Sequence, residues 1–185
     1  MDYSKVLTEL HHMQQIYATL FTVTNKLQNM GDTYFETLTL RQYMTMLSIA
    51  HLPEDQTTLN NIAAKMETTK QSTQRVVANL ESKGYVISKQ SKLDKRSINV
   101  AITEIGVKVM MDCGEKAVTL MTDIFEDFSA QQLADLWILL KKLNGQTEEE
   151  NSFEEDVNHK FENTNGFDEA QKRALNLLIS RRARS

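Results

Sequence analysis

TLNNIAAKMETTKQSTQRVVANLESKGYVISKQSKLDKRSINVAIT, running from Thr58 to Thr103, reads as helix, turn, helix and then a two-stranded hairpin with a basic tip. Thr58 suits an N-cap, and Leu59, Ile62, Ala63 and Met66 follow at helical spacing. The second helix begins at Thr68, with Gln71 at capping-box distance, and stops at Gly84, a residue favoured where a helix ends in a left-handed turn. Beyond it, Ile98, Val100 and Ile102 alternate with polar or small residues as in a half-buried strand. Two helices at a steep angle followed by a hairpin make a winged helix-turn-helix, an architecture that usually serves nucleic acid.

At about 100° per residue, the second helix sorts its side chains by task. Thr73, Val76, Val77 and Leu80 form an inward apolar face. Gln71, Arg75, Ala78 and Ser82 lie opposite, flanked by Thr68, Ser72, Gln74 and Asn79. Gln can bond adenine in two places, Arg can do the same to guanine, and Ser or Thr hydroxyls suit bases or phosphates. The helix N-terminus adds amide donors and a positive dipole end, both favourable to phosphate. The candidate reading residues are therefore Thr68, Thr69, Lys70, Gln71, Ser72, Gln74 and Arg75. A polar helix face is more often merely solvated; here the preceding helix and the basic hairpin reverse those odds.

Charge agrees locally. From Thr58 to Val100 eight basic residues face three acidic ones, a net +5, which leaves −9 for the rest of a chain at −4. Positive charge gathered on the reading module is the footprint of a DNA binder, and the acidic remainder discourages indiscriminate adhesion to polyanions.

The run from Leu40 to Leu143 resembles the multiple antibiotic resistance regulator (MarR) family of bacterial transcription factors. The pieces that carry the resemblance are LNNIAAKM, then KQSTQRVVANLESKGYV, then DKRSINVAITEIG leading into a long helix. The last is the most specific: an Asp-basic-Arg triplet, Asp94, Lys95 and Arg96, followed by a strand and a Thr-x-x-Gly helix start at Thr103 to Gly106. The sequence departs from the family at Glu67, where Gly often stands between the two helices. The resemblance implies an obligate dimer on duplex DNA, with Arg96 entering a minor groove and Asp94 orienting it. Lys92, Asp94, Lys95 and Arg96 are accordingly the wing candidates. It further implies a small-molecule effector in a cavity between the dimerisation helices and the winged helix, where Tyr17, Tyr43, Leu47 and Phe125 are candidates. Each of those four also suits an ordinary core, the commoner fate.

The flanks read as helices. Val6, Leu10, Met13, Ile16 or Tyr17, Leu20, Val23 and Leu27 define one from Ser4 to about Met30. A second runs from Thr39 to Ala50, before the only proline, Pro53. Thr103 can cap a third, Glu104 to about Phe128, with Ile105, Val109, Ala117, Met121, Ile124, Phe125 and Phe128 apolar. Ser129 and Gln132 make a capping box for a fourth, which Gly145 stops. The first and last of these carry more apolar surface than one winged helix can cover, which predicts a homodimer with two-fold symmetry. The expected fold is thus mainly α. A winged helix over 39–103 with a two-stranded β-wing sits between dimerisation helices at 1–38 and 104–145.

Past Gly145 the family pattern stops. Glu148 to Glu169 hold nine acidic residues and one Lys, which predicts an acidic mobile linker over 146–166. FDEAQKRALNLLISRRARS, 167–185, then resumes helical periodicity as an amphipathic C-terminal helix. Weak packing on its own dimer is the first reading of that helix; docking to another protein, DNA or a lipid surface is the other.

Motifs of catalysis are missing: there is no Gly-rich phosphate loop, His-Glu-x-x-His, Cys-x-x-Cys or nucleophile elbow. No enzyme, cofactor or metal site is expected; His11 and His12 are adjacent on a helix and point about 100° apart. Cys113, the one cysteine, reads as a bland helix residue in a reducing compartment. With no signal pattern and no apolar run near membrane length, a cytoplasmic chain without a membrane span is expected. The overall expectation is a DNA-binding transcription regulator, a repressor on a pseudo-palindromic operator. The alternative is a winged-helix interaction or adaptor module without specific DNA binding.

Overall fold

The computed structural model describes residues 3–91, 96–145 and 167–182. Helix α1 spans Tyr3–Phe35, α2 Leu40–His51, α3 Leu59–Lys65 and α4 Lys70–Ser82. Strands β1 (Val86–Gln90) and β2 (Ile98–Ile102) follow, then α5 (Glu104–Ile124), α6 (Ala130–Leu143) and α7 (Phe167–Arg182). The strands pair antiparallel, with Val86 opposite Ile102 and Gln90 opposite Ile98. This is a winged helix flanked by long helices.

Hydroxyl caps set the starts. Thr39, Thr58, Thr69, Thr103 and Ser129 each accept a bond from the backbone N–H three residues on. For α4 the cap falls at Thr69, one residue beyond the Thr68 expected from the Gln71 spacing. The reason lies in the turn before it. Thr68 N–H bonds back to the Ala63 carbonyl at 2.9 Å and Glu67 N–H to Ala64 at 3.0 Å, closing α3 and leaving Thr68 inside the connection. That closure sets Glu67 at φ 48°, the left-handed conformation that Gly adopts most easily.

The core lies where α2, α4, the wing base and α5 converge. Phe35, Met46, Ile62, Leu80, Val100 and Cys113 are its fully enclosed members, and the Phe35 and Tyr43 rings tilt together at 4.9 Å. Thr73, Val77 and Leu80 form the inward face of α4, with Val76 half-buried beside them. Enclosing a Leu80-sized side chain is worth roughly 1.5–3 kcal/mol, so a few such residues anchor α4.

Three sequence expectations shift. Helix α1 continues five residues past Met30, to Phe35, because Gly31 and Phe35 pack under the start of α2. Ile98 is 59% exposed while Asn99 and Val100 are both buried, so β2 does not alternate cleanly. The segment before α3 lies along β2 and covers it: Val100 N–H bonds the Thr57 carbonyl at 2.9 Å, and Thr58 bridges Asn99. Helix α5 ends at Ile124, and its buried side is Gly106, Met110, Cys113 and Leu120; Ile105 and Met121 stand exposed.

Along α1 an apolar stripe of Val6, Leu10, Met13 and Ile16 stands open, as do Trp137, Ile138, Leu139 and Leu143 of α6. Helix α7 lies along α5, where Arg173 Nε donates to Glu115 at 3.2 Å and Arg181 pairs with Asp123. Asp123 also receives the Tyr34 hydroxyl of α1, so this carboxylate joins three helices. The 146–166 stretch lies outside the described residues.

Candidate nucleic-acid interface

Lys70, Gln71, Gln74 and Arg75 are all exposed on the outer side of α4, and Thr69 caps the helix beside them. Thr68 and Ser72 are half-buried at its root. The seven expected reading residues therefore gather at the start of α4 and the turn before it. Arg41 of α2 joins them, its guanidinium donating to the Thr68 hydroxyl at 3.4 Å. Sequence spacing gave no hint of Arg41, which stands 27 residues from its partner.

The aim of α4 is fixed from behind. Gln42, buried on α2, donates through Nε2 to Asn79 Oδ1 at 2.6 Å and accepts from Lys83 Nζ at 3.4 Å. At the wing, Ser88 N–H donates to Glu81 of α4 at 2.8 Å. The Thr-x-x-Gly start of α5 closes the third side. Thr103 Oγ1 donates to the Gly84 carbonyl at 2.7 Å and accepts from Gly106 N–H at 3.0 Å. A side chain at Gly106 would run into the Tyr85 carbonyl, with an added Cβ only 2.0 Å away. The Gly in this motif is therefore a packing requirement.

Of the wing candidates, Arg96 is exposed in the turn before β2, while Lys92, Asp94 and Lys95 lie outside the described residues.

The four expected pocket residues differ in exposure. Tyr17 is 81% exposed on α1, Tyr43 is enclosed in the core, and Leu47 on α2 and Phe125, the C-cap of α5, are half-buried. A cavity of about 450 Å³ opens elsewhere, between the end of α2, the Glu54–Gln56 turn, the wing base and the start of α5, and none of the four lines it.

Burial sets the chemistry behind the head. It pushes the Cys113 thiol up to about 11 and, with the nearby Cys113, the Tyr43 phenol to about 12. Cys113 is thus held as the unreactive thiol. On the surface, a hydrogen bond and the charge of Lys116 hold the Glu36 carboxyl below its ordinary range. Among the described residues no three His, Cys, Asp or Glu side chains gather as metal ligands would, and no helix is long and apolar enough to cross a membrane.

Comparison with known proteins bears on this geometry. Residues 36–97 match the MarR family model. No curated protein sequence matches the chain. Among solved structures, the S. aureus MepR–DNA complex is 20% identical, covering 70% of this chain and 96% of its own at a TM-score of 0.63. A mutant E. coli MarR complexed with operator DNA is 22% identical, covering 71% and 95% at 0.63. An organohalide-sensing transcriptional regulator in its 2,4-dichlorophenol-bound form is 14% identical, covering 74% and 80% at 0.64. Residues 36–97 therefore carry a MarR-family winged helix, and the chain has the fold of the MarR transcriptional regulators.

Proposed function

We propose that the protein is a homodimeric transcription regulator that binds duplex DNA at a pseudo-palindromic operator and acts as a repressor. The observation that carries this reading is the exposed end of α4. Lys70, Gln71, Gln74 and Arg75 stand together there, beside the Thr69 cap and Arg41. Gln and Arg make paired bonds to base edges, and the helix N-terminus with Lys70 and Arg41 favours phosphate. Arg96 of the wing reaches a neighbouring minor groove, and Lys92, Asp94 and Lys95 are its proposed partners in binding DNA. Two relatives of the same fold were solved on DNA, which supports the assignment.

The open apolar stripes of α1 and α6 support the dimer, because a contiguous face of this kind is covered in most soluble proteins. Two copies related by a two-fold axis place their α4 helices about one turn of DNA apart, roughly 34–36 Å. A small effector releases the complex by changing that spacing; the relative solved with 2,4-dichlorophenol supports an effector of that general kind.

An electrophoretic shift against the DNA upstream of its own gene, followed by footprinting, tests the reading. A retarded band with a two-fold symmetric footprint is expected. Binding that is equal on scrambled DNA would leave the adaptor reading in its place.

A further inference from the structure

No residue of α4 lines the cavity at the wing base. Ile49, Ala50, Leu52, Val100, Ile102 and Val107 give it apolar walls, drawn from α2 and its end, β2 and α5. Its rim is polar and mixed in sign, with Glu54 and Asp55 on one side and Lys89 of β1 on the other. In that wall sits Asn99, only 6% exposed. Its side-chain oxygen is shielded from solvent and is the one buried side-chain polar atom, among the described residues, that meets no hydrogen-bond donor. A strand residue this buried is ordinarily apolar, because an unpaired buried amide oxygen is destabilising. An unpaired acceptor on a residue that lines an apolar cavity is the pattern of a binding site, where one polar group orients a mostly apolar guest.

We propose that this cavity binds a small, uncharged, amphipathic molecule with an N–H or O–H donor, which is read by Asn99. The volume of about 450 Å³ accommodates a one- or two-ring compound. The opposed charges of the rim favour no net charge on the guest. A turn of the Asn99 amide about its Cβ–Cγ bond presents the oxygen to the guest's donor. Because Asn99 pairs with Lys89 across the hairpin, an occupant touches both strands that lead to the wing tip. It thereby also braces the wing against α2 and α5. Binding itself does not depend on the DNA-binding reading.

Indole and 1-methylindole form a matched probe pair, alike in shape but with and without the N–H donor. In ligand-observed NMR titrations of the full chain, indole should bind saturably, and 1-methylindole at least about tenfold more weakly, as a site built for a donor rejects its methylated analogue. Asn99→Leu should erase that preference while retaining both probes; Asn99→Ser makes the same test if the Leu variant is poorly folded. Ala101→Phe or Val107→Phe, each filling the cavity from a different wall, should abolish both. No saturable indole binding up to about 2 mM, equal affinity for the two probes, or binding that survives both filling substitutions would overturn the assignment.

Discussion

Glu67 stands at φ 48° between α3 and α4. A non-glycine residue there carries left-handed strain, so Glu67→Gly should raise stability by about 0.5–1 kcal/mol, read as a higher urea midpoint with unchanged slope. A lower midpoint would mean that the Glu67 side chain contributes contacts that outweigh the strain. Arg75 stands on the same exposed face as Gln71, one turn on. Arg75→Ala should relax sequence preference at particular operator positions, at about 1–3 kcal/mol per half-site. Selection from random DNA that returns the same motif for variant and parent would refute that role. Lys70→Ala should instead lower affinity evenly across sequences and flatten its salt dependence, as loss of a phosphate contact does.

At the scale of elements, helix starts were legible because a cap is a local device: Thr58, Thr103 and Ser129 declare themselves by their own spacing. Thr68 and Thr69 compete for one role, and a backbone bond to Ala63 decides between them, which no spacing rule contains. Asn99 illustrates a different limit. Alternation along β2 assigns it outward, but the Thr57–Thr58 segment folds over the strand from forty residues away and encloses it. The cavity was hidden for the same reason, since its walls come from four separate stretches. Helix α7 packs on α5. Its bonds to α5, Arg173 with Glu115 and Arg181 with Asp123, involve partly exposed side chains, and such pairs contribute roughly 0–1 kcal/mol each. Removal of residues 147–185 should therefore leave a folded dimer and change DNA affinity by less than about fivefold, under roughly 1 kcal/mol. Aggregation of the shortened chain would show that α7 covers apolar surface the dimer needs.

At the scale of the whole molecule, the exposed apolar faces of α1 and α6 and the enclosed pair Cys113 and Tyr43 each have a measurable signature. If α1 and α6 are covered by a second copy, folding and association are one reaction, and the melting temperature should climb with protein concentration. A melting temperature unchanged between about 1 and 100 μM, with a monomer in light scattering, would exclude an obligate dimer. Cys113 and Tyr43 are raised in the folded state from ordinary values of 9.0 and 10.0 to about 11 and 12. Their contribution is complete below pH 9.0 and falls as pH rises toward 12, because the unfolded chain ionises first. Alkaline melts should accordingly lose stability over that window, and Cys113→Ala should shallow the loss. The junction at Thr103, where the end of α4, the start of β1 and the first turn of α5 are hydrogen-bonded together, also has a mechanical meaning. It makes α5 a crank with the reading head fixed to its handle. A 21-residue helix is about 31 Å long, so a tilt of about 10° around its far end sweeps the head through about 5 Å. That sweep exceeds the roughly 3.4 Å step from one base pair to the next, so a modest turn of the shaft takes the head out of register with its site.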